Sequence, residues 1–267
     1  MKKSPASPAD LPVALSIAGS DSGGNAGVQA DLLTFAALGA FGTTAITCLT
    51  AQNPRGIAGV HEVPPAFVVQ QATEVAAFFP VRAAKTGMLF STPIIGAVAQ
   101  FFRDHPRIQL VVDPVMVATS GAILLRPEAI DAIKAELLPR ATVVTPNLDE
   151  AAVLLGRKPA NAKETIEAAR ELAAQFGVPF LVTGGHLAGD ELVDMLARPR
   201  GKPRIWRSRR VPDVDTHGSG CTLSAGMAAL LARNQFLEDA VTGARRFLRR
   251  GLMHPLRVAR RAYLAHR

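Results

Sequence analysis

Cysteine is scarce in this chain, with two residues, Cys48 and Cys221, among 267. That excludes a disulfide scaffold and a zinc centre built mainly on thiolates. Glycine keeps no period of three and the apolar residues hold no long heptad, which excludes collagen-like and coiled-coil architectures. A secretory leader is not apparent. Lys2 and Lys3 resemble its start, but Pro5, Pro8, Asp10 and Pro12 follow where an apolar run belongs. The longest uncharged stretch, Leu32–Pro54, contains Gly39, Gly42, several threonines, Gln52 and Asn53. It reads as a helix end, a turn and a buried strand rather than a membrane span, and the chain is expected to be soluble and cytoplasmic.

What is present is enough for a large core. Apolar residues make up 48% of the chain, which excludes disorder for most of it. The formal charge of +8 is unevenly placed. Residues 1–197 carry 14 basic and 18 acidic side chains, and residues 198–267 carry 16 basic and 4 acidic ones. A basic end can mark an anionic partner such as nucleic acid. Most of these arginines fall in a loop or on a helix with apolar spacing, so a solvated face explains them better.

Apolar runs at Val13–Ala18, Thr43–Leu49, Ala83–Met88, Gln109–Val112, Thr142–Thr145 and Phe180–Thr183 read as strands, with an edge strand at Ile57–Val63. Helical spacing begins at Ala26 and again near Pro65–Phe78, Pro93–Phe102, Pro127–Leu137, Asn147–Leu155 and Thr165–Phe176. Glu191–Leu196 and Arg204–Trp206 suggest a hairpin, and helices near 219–232 and 236–251 close the chain. Short apolar strands alternating with amphipathic helices predict a three-layer α/β/α sandwich with a mostly parallel central sheet. Residues 1–12 read as a disordered tail, 13–252 as one domain and 253–267 as a basic tail. In such a fold ligands sit at the carboxyl ends of the strands. Six strand exits carry polar or glycine-rich residues: Gly19–Gly27, Gln52–Gly56, Lys85–Met88, Asp113–Met116, Thr145–Glu150 and Thr183–His186.

The segment Thr216–Met227 (THGSGCTLSAGM) is the most informative, because a glycine-rich turn runs into an apolar helix. The first N–H groups of a helix lack internal partners and face the positive end of its dipole, so glycines there admit a phosphate. Cys221 would stand in the first turn, where a thiolate is favoured and its pKa falls. It could take a proton from a substrate hydroxyl while the N–H groups hold a transferring phosphoryl group. A plain glycine turn with Cys221 as core filler remains open. The loop Gly19–Gly27 lacks the Lys-Ser/Thr of a P-loop and spaces its glycines wrongly for a dinucleotide fingerprint. Asp113, ending an apolar strand, could orient Mg²⁺. Asn147 and Glu150 could face the same metal or phosphate, or simply form a helix cap.

The run AGSDSGGNAGVQADLLTFAALGAFGTTAITCLTAQN, followed by KTGML, VVDPVM, VVTPNLDEA, VTGGH and THGSGCTLSAG, resembles the hydroxymethylpyrimidine and phosphomethylpyrimidine kinases of thiamine biosynthesis, within the ribokinase-like fold. The resemblance spans roughly residues 13–232. It implies ATP- and Mg²⁺-dependent phosphorylation of a pyrimidine hydroxymethyl group and then of the monophosphate, commonly by a homodimer. It places the base at Cys221 and the anion hole at Gly218, Ser219 and Gly220. Gln52, Gly19, Asp21, Ala26, Met88 and Val115 fall on the substrate side. Asn147, Glu150, Thr183 and Gly185 fall on the nucleotide side, with Asp113 and Glu150 towards the metal. Asn25, Ser219, Thr183 and the C-terminal segment depart from the family pattern, Thr183 standing where many members carry Lys. A pyridoxal kinase and a non-catalytic pyrimidine-binding homologue are the alternative readings.

Overall fold

Period-two alternation decides the faces of the central strands. In the computed structural model, which describes residues 10–116, 125, 127–185 and 190–267, strand β1 (Val13–Asp21) sends Leu15 and Ile17 to one side. Ala14 and Ser16 point to the other. The chain continues through α1 (Gly27–Ala37), β2 (Phe41–Asn53), β3 (Gly56–Glu62), α2 (Pro65–Phe78), β4 (Val81–Thr86), α3 (Thr92–Asp104) and β5 (Gln109–Val112). It then forms α4 (Pro127–Ala132), β6 (Val143–Val144), α5 (Leu148–Leu155), α6 (Ala162–Phe176), β7 (Phe180–Val182), β8 (Glu191–Ala197) and β9 (Arg204–Arg209). Helices α7 (Ser219–Ala232) and α8 (Leu237–Met253) precede a small hairpin, β10 (Leu256–Val258) and β11 (Arg261–Tyr263).

Nine strands form one sheet in the order β3-β2-β1-β4-β5-β6-β7-β8-β9. The six central strands, β2 to β7 in that order, run parallel, while β3, β8 and β9 join antiparallel. The expected three-layer, mostly parallel sandwich is therefore the observed one. One apolar cluster packs α2 to α6 on the face of Leu15, Ile17, Leu110 and Val112. The second packs α1, α7 and α8 on the face of Ala14, Ala83 and Val111. Helix α7 is buried from Thr222 to Ala232, as its small residues allow. A Cβ on Gly226 would stand 3.0 Å from the Cβ of Ala244, so α7 and α8 touch almost backbone to backbone.

Helix α4 does not continue to Leu137 as a regular α-helix. It widens into a π turn at Ile133–Leu137 and tightens into a 3₁₀ turn at Leu138–Arg140, where Pro139 has no N–H to donate. Residues 253–267 are folded in their greater part: β10 pairs with β11, and Leu264 and Ala265 are buried. Residues 1–9 of the tail expected at 1–12, and His186, lie outside the described residues.

Candidate active site

The loop after β1 is built around one carboxylate. Asp21 is buried, and its Oδ1 accepts from the Gly23 N–H at 2.7 Å. Its Oδ2 accepts from Asn25 and Ala26 at 3.1 and 2.9 Å. The His217 ring approaches Oδ2 at 3.5 Å. Burial alone would raise this carboxyl, but the hydrogen bonds from His217, Gly23 and Ala26 outweigh it and hold it below the ordinary value. Asp21 thus organises the loop after β1 with the carboxylate expected on the substrate side.

His217 is the centre of the rim, and the sequence reading gave it no role. Its Nε2 lies 3.0 Å from Gln52 Nε2 as well as beside Asp21. Its N–H donates to Asp215 Oδ1 at 2.9 Å. Gln52 is further pinned by Ser22, whose hydroxyl bonds the Gln52 backbone on both sides at 2.8 and 2.9 Å. Gly19 leaves no room for a side chain, since a Cβ would reach 2.9 Å from Cys48 Sγ and 3.8 Å from Met88 Cβ. Gly19, Asp21, Ala26, Gln52 and Met88 therefore gather at one strand-exit rim, as expected. Val115 is half-buried beyond Asp113, to whose carbonyl its N–H donates at 2.9 Å.

The glycine turn before α7 locks onto this loop. Gly218 is in the left-handed region at φ 84°, and a Cβ there would overlap the Asn25 carbonyl oxygen. Asn25 returns a bond from its Nδ2 to the His217 carbonyl at 3.4 Å. Ser219 donates its N–H back to Thr216 at 3.0 Å, so this member of the expected anion hole is already engaged. The N–H groups of Gly220 and Cys221, at the second and third helical positions, have no acceptor of their own within α7. Together with the dipole they make this the positive end of α7.

Cys221 is half-buried, with the Gly27 N–H at the start of α1 among the groups that act on its sulfur. Here the thiolate expectation fails. Burial pushes the thiol up to about 12. Lys85 and the Gly27 N–H pull it down, while the charges of Asp31 and Asp113 push it further up. Cys221 is therefore a protonated thiol at neutral pH. The helix start was legible in the sequence; the desolvation that overrides it was not.

Among the residues expected on the nucleotide side, Asn147 caps α5 by accepting from Asp149 and Glu150 at 2.9 and 3.0 Å, and Glu150 Oε2 accepts from the Asn147 N–H at 3.0 Å. Thr183 bridges to Asn147 and donates its N–H to Pro146 at 3.1 Å, so Asn147, Glu150 and Thr183 do come together. Gly185 is exposed just beyond them. Asp113 is buried and accepts from Ser224 at 2.9 Å. Burial pushes its carboxyl up against the opposing effects of Lys85 and Ser224. Burial, then the charge of Asp113, pushes Glu150 well above the ordinary range. Among the described residues no cluster of three or more His, Cys, Asp or Glu side chains forms a metal cage.

Three further features went unread. Lys85 and Asp31 form an ion pair at 3.0 Å with both side chains fully buried. Ser224 fastens Asp113 to α7. The C-terminal segment reaches the same place: Asp215 N–H donates to Ala262 at 2.9 Å, and His266 Nε2 lies 2.9 Å from the Thr222 hydroxyl, next to Cys221.

A mostly parallel α/β/α sandwich whose strand mouth faces a glycine turn and the start of a buried helix is a ribokinase-like kinase fold. The comparisons narrow this class. The family model described as phosphomethylpyrimidine kinase matches residues 21–266, and the chain belongs to that family. A hydroxymethylpyrimidine/phosphomethylpyrimidine kinase of Rhizobium meliloti is 46% identical over 237 residues, covering 88% of each chain. A thiamine biosynthesis bifunctional protein of Geobacter sulfurreducens is 44% identical over 234 residues; the match covers 88% of this chain and 48% of that longer protein. Among solved structures, an ADP complex of Bacillus subtilis pyridoxal kinase superposes with a TM-score of 0.89 at 33% identity, covering 96% of this chain and 98% of the other. Among the described residues no helix is long and apolar enough to cross a membrane.

Proposed function

We propose that the chain is an ATP-dependent kinase that phosphorylates the hydroxymethyl group of 4-amino-5-hydroxymethyl-2-methylpyrimidine and then the resulting monophosphate, in thiamine biosynthesis. The observation that carries this reading is the interlock of the two loops at Gly218 and Asn25, which sets a half-buried sulfur beside helical N–H groups that have no acceptor within α7, at the rim holding Gln52. The names carried by its relatives supply the substrate class.

Phosphoryl transfer asks the protein mainly for alignment and for charge stabilisation. The Gly220 and Cys221 N–H groups, at the positive end of α7, would hold the oxygens of the transferring group. Gln52 would anchor a polar edge of the ring, with Gly19, Ala26, Met88 and Val115 closing round it. Cys221 would accept the hydroxyl proton. As a resting thiol it must first release its own proton to solvent at the rim, and the hydroxyl's proton then replaces it on the sulfur, so the charges around it govern that role.

Asp113 and Glu150 would hold Mg²⁺ together with nucleotide phosphates. Their chemistry fits: two buried carboxyls that disfavour each other's charge suit a dication, and Mg²⁺ needs only one or two protein carboxylates when phosphates and water complete its shell. Bound there, the ion supplies positive charge to the phosphate oxygens. Asn147, Thr183 and Gly185 would line the nucleotide side.

A homodimer belongs to the same reading. Strand β3 is exposed along its whole length, with its own Ile57 and Val60 and the neighbouring Leu49 of β2 uncovered, a face that a second copy would cover. Light scattering should give twice the chain mass, and Ile57→Asp should return it to the monomer.

The deciding assay couples ADP release to the hydroxymethylpyrimidine, its monophosphate and pyridoxal in parallel. Turnover of both pyrimidines well above pyridoxal supports the proposal. Preference for pyridoxal would transfer the chain to the activity named for its Bacillus subtilis structural neighbour, and no ADP release with any of the three would leave a binding protein.

A further inference from the structure

The segment Arg261–His266 carries none of the glycine-rich motifs, yet it is bonded to both flanks of the turn before α7. Three residues before Gly218, the Asp215 N–H donates to the Ala262 carbonyl at 2.9 Å, and Asp215 pairs with Tyr263 in a parallel bridge. Four residues after Gly218, the Thr222 hydroxyl lies 2.9 Å from His266 Nε2. That hydroxyl has one hydrogen and gives it to the Gly218 carbonyl at 2.9 Å, so towards the hydroxyl the ring nitrogen is the donor. Burial lowers the His266 ring below its ordinary value, which keeps it neutral at neutral pH with its one N–H at Nε2. Two hydrogen bonds in series therefore run from His266 through Thr222 to Gly218, the residue that meshes with Asn25.

The surrounding structure is shaped to hold this strap in one place. Leu264 and Ala265 are buried. A Cβ on Gly251 would overlap the Ala265 carbonyl oxygen and come within 2.7 Å of Leu264 Cδ1, so α8 presents bare backbone where the strap crosses it. There the Ala265 N–H donates to the Gly251 carbonyl at 3.3 Å. The hairpin that delivers the strap turns through Ala259 and Arg260, both in the left-handed region at φ 49° and 66°. A two-residue turn of this kind needs positive φ at both centres, where asparagine or glycine is the usual choice. Other residues held there cost free energy, and such strain collects where the fold fixes a working geometry.

We propose that His266 is a positioning residue of the reaction: the strap Arg261–His266, bonded to Asp215 on one side of the glycine turn and to Thr222 on the other, fixes Gly218–Cys221 against the Asn25 loop. That the fixed turn aligns a phosphoryl group rests on the proposed function. The mechanical coupling of strap to turn does not. His266 touches no reacting atom and acts only through Thr222, so it governs the rate at which bound substrates react more than how tightly they bind.

Two measurements on the full chain test it. Hydrogen exchange without substrate reads the coupling apart from turnover. His266→Ala should speed exchange in a peptide spanning residues 216–223 about fivefold, as loss of one hydrogen bond allows, while a peptide from α3 keeps the parent rate. No change at 216–223, or equal acceleration in both peptides, overturns the proposal. Steady-state kinetics supply the second readout. His266→Ala should lower kcat about tenfold with KM for both substrates within about twofold of the parent. His266→Gln, whose amide nitrogen can stand where the ring Nε2 does, should recover most of that loss. Ile94→Val, fully buried in α3 on the other side of the sheet, lowers stability without touching the turn and should keep the parent kcat. A loss confined to KM, a glutamine variant as slow as alanine, or an Ile94→Val as slow as His266→Ala each overturns the positioning role. A melting curve checks the fold; if His266→Ala does not fold, Thr222→Val cuts the same link from the other side and decides by the same numbers. Faster exchange at 216–223 with no kinase activity in the parent would sink the proposed function and leave the strap's coupling to the turn intact.

Discussion

Replacing Gly218 with alanine is the sharpest perturbation the site offers. The residue is at φ 84°, where an L side chain costs roughly 1–2 kcal/mol. Its new Cβ would overlap the Asn25 carbonyl oxygen and lie 2.9 Å from the carbonyl carbon and 3.5 Å from Ala26 Cα. Carbon atoms rest at about 3.5–4.0 Å, so the two loops must separate by on the order of 1 Å. Overpacking of that kind adds about 1–3 kcal/mol, for a total loss of roughly 2–5 kcal/mol. The larger effect is on catalysis, because a 1 Å misplacement of aligned groups can cost about 10²-fold. Coupled ADP-release kinetics beside thermal melting should show kcat/KM down about 100-fold and a Tm lower by several degrees. Gly96→Ala on α3 is the control, since its nearest neighbour is a Glu136 carboxylate oxygen at 3.8 Å and alanine favours a helix. If Gly218→Ala keeps kcat/KM within a factor of about three of the parent, the interlock does not set the reaction geometry.

Three other outcomes follow from the same site. Cys221→Ala should lower turnover by about 10²–10⁴-fold while calorimetry shows pyrimidine binding nearly intact; unchanged turnover removes the sulfur from the mechanism. Asp21 is held below its ordinary 3.8 in the folded chain, so its contribution to stability is present above that pH and lost as pH falls through the folded value. Asp21→Asn should therefore lower the urea midpoint at neutral pH and narrow the gap to the parent on acidification, and a constant gap would contradict the assignment. Glu150 has the opposite sign: its raised carboxyl makes the folded state the better proton binder, so stability falls as pH rises past its ordinary 4.5. Glu150→Gln should raise Tm at mildly alkaline pH without nucleotide and raise the KM for Mg–ATP; a lower Tm would show that its hydrogen bonds outweigh its charge.

Local chemistry made much of the fold legible. β5 (Gln109–Val112) and α2 (Pro65–Phe78) lie where the apolar run and the paired prolines place them, because each signal is local. The Asn147–Glu150 cap is equally local and is present. The extension of β1 through Gly19 to Asp21 was not readable, since sheet pairing with β2 overrides the glycine signal. The C-terminal hairpin was missed because arginines interrupt its alternation and its partner, Asp215, is distant in sequence. Gly218, Gly220 and Cys221 stand out in any reading of THGSGC. Lys85 does not: a lysine inside VRAAKT looks like the end of a strand until Asp31, 54 positions earlier, is seen to bury it. Cys221 was read with the wrong charge state for the same reason. A helix start is written in neighbouring residues, whereas desolvation depends on distant segments folding over the sulfur.

The contact between Asn25 and His217 joins positions 192 residues apart. During synthesis, the first strands, α1 and the Asp21-centred turn leave the ribosome long before the segment that completes them. Most of the sheet can form while the catalyst is still half-made, and truncation before residue 215 would yield a scaffold without phosphotransfer. Birth of activity in this enzyme is thus timed to the arrival of its final helices, which makes a nascent-chain series a direct clock for when the two ends meet.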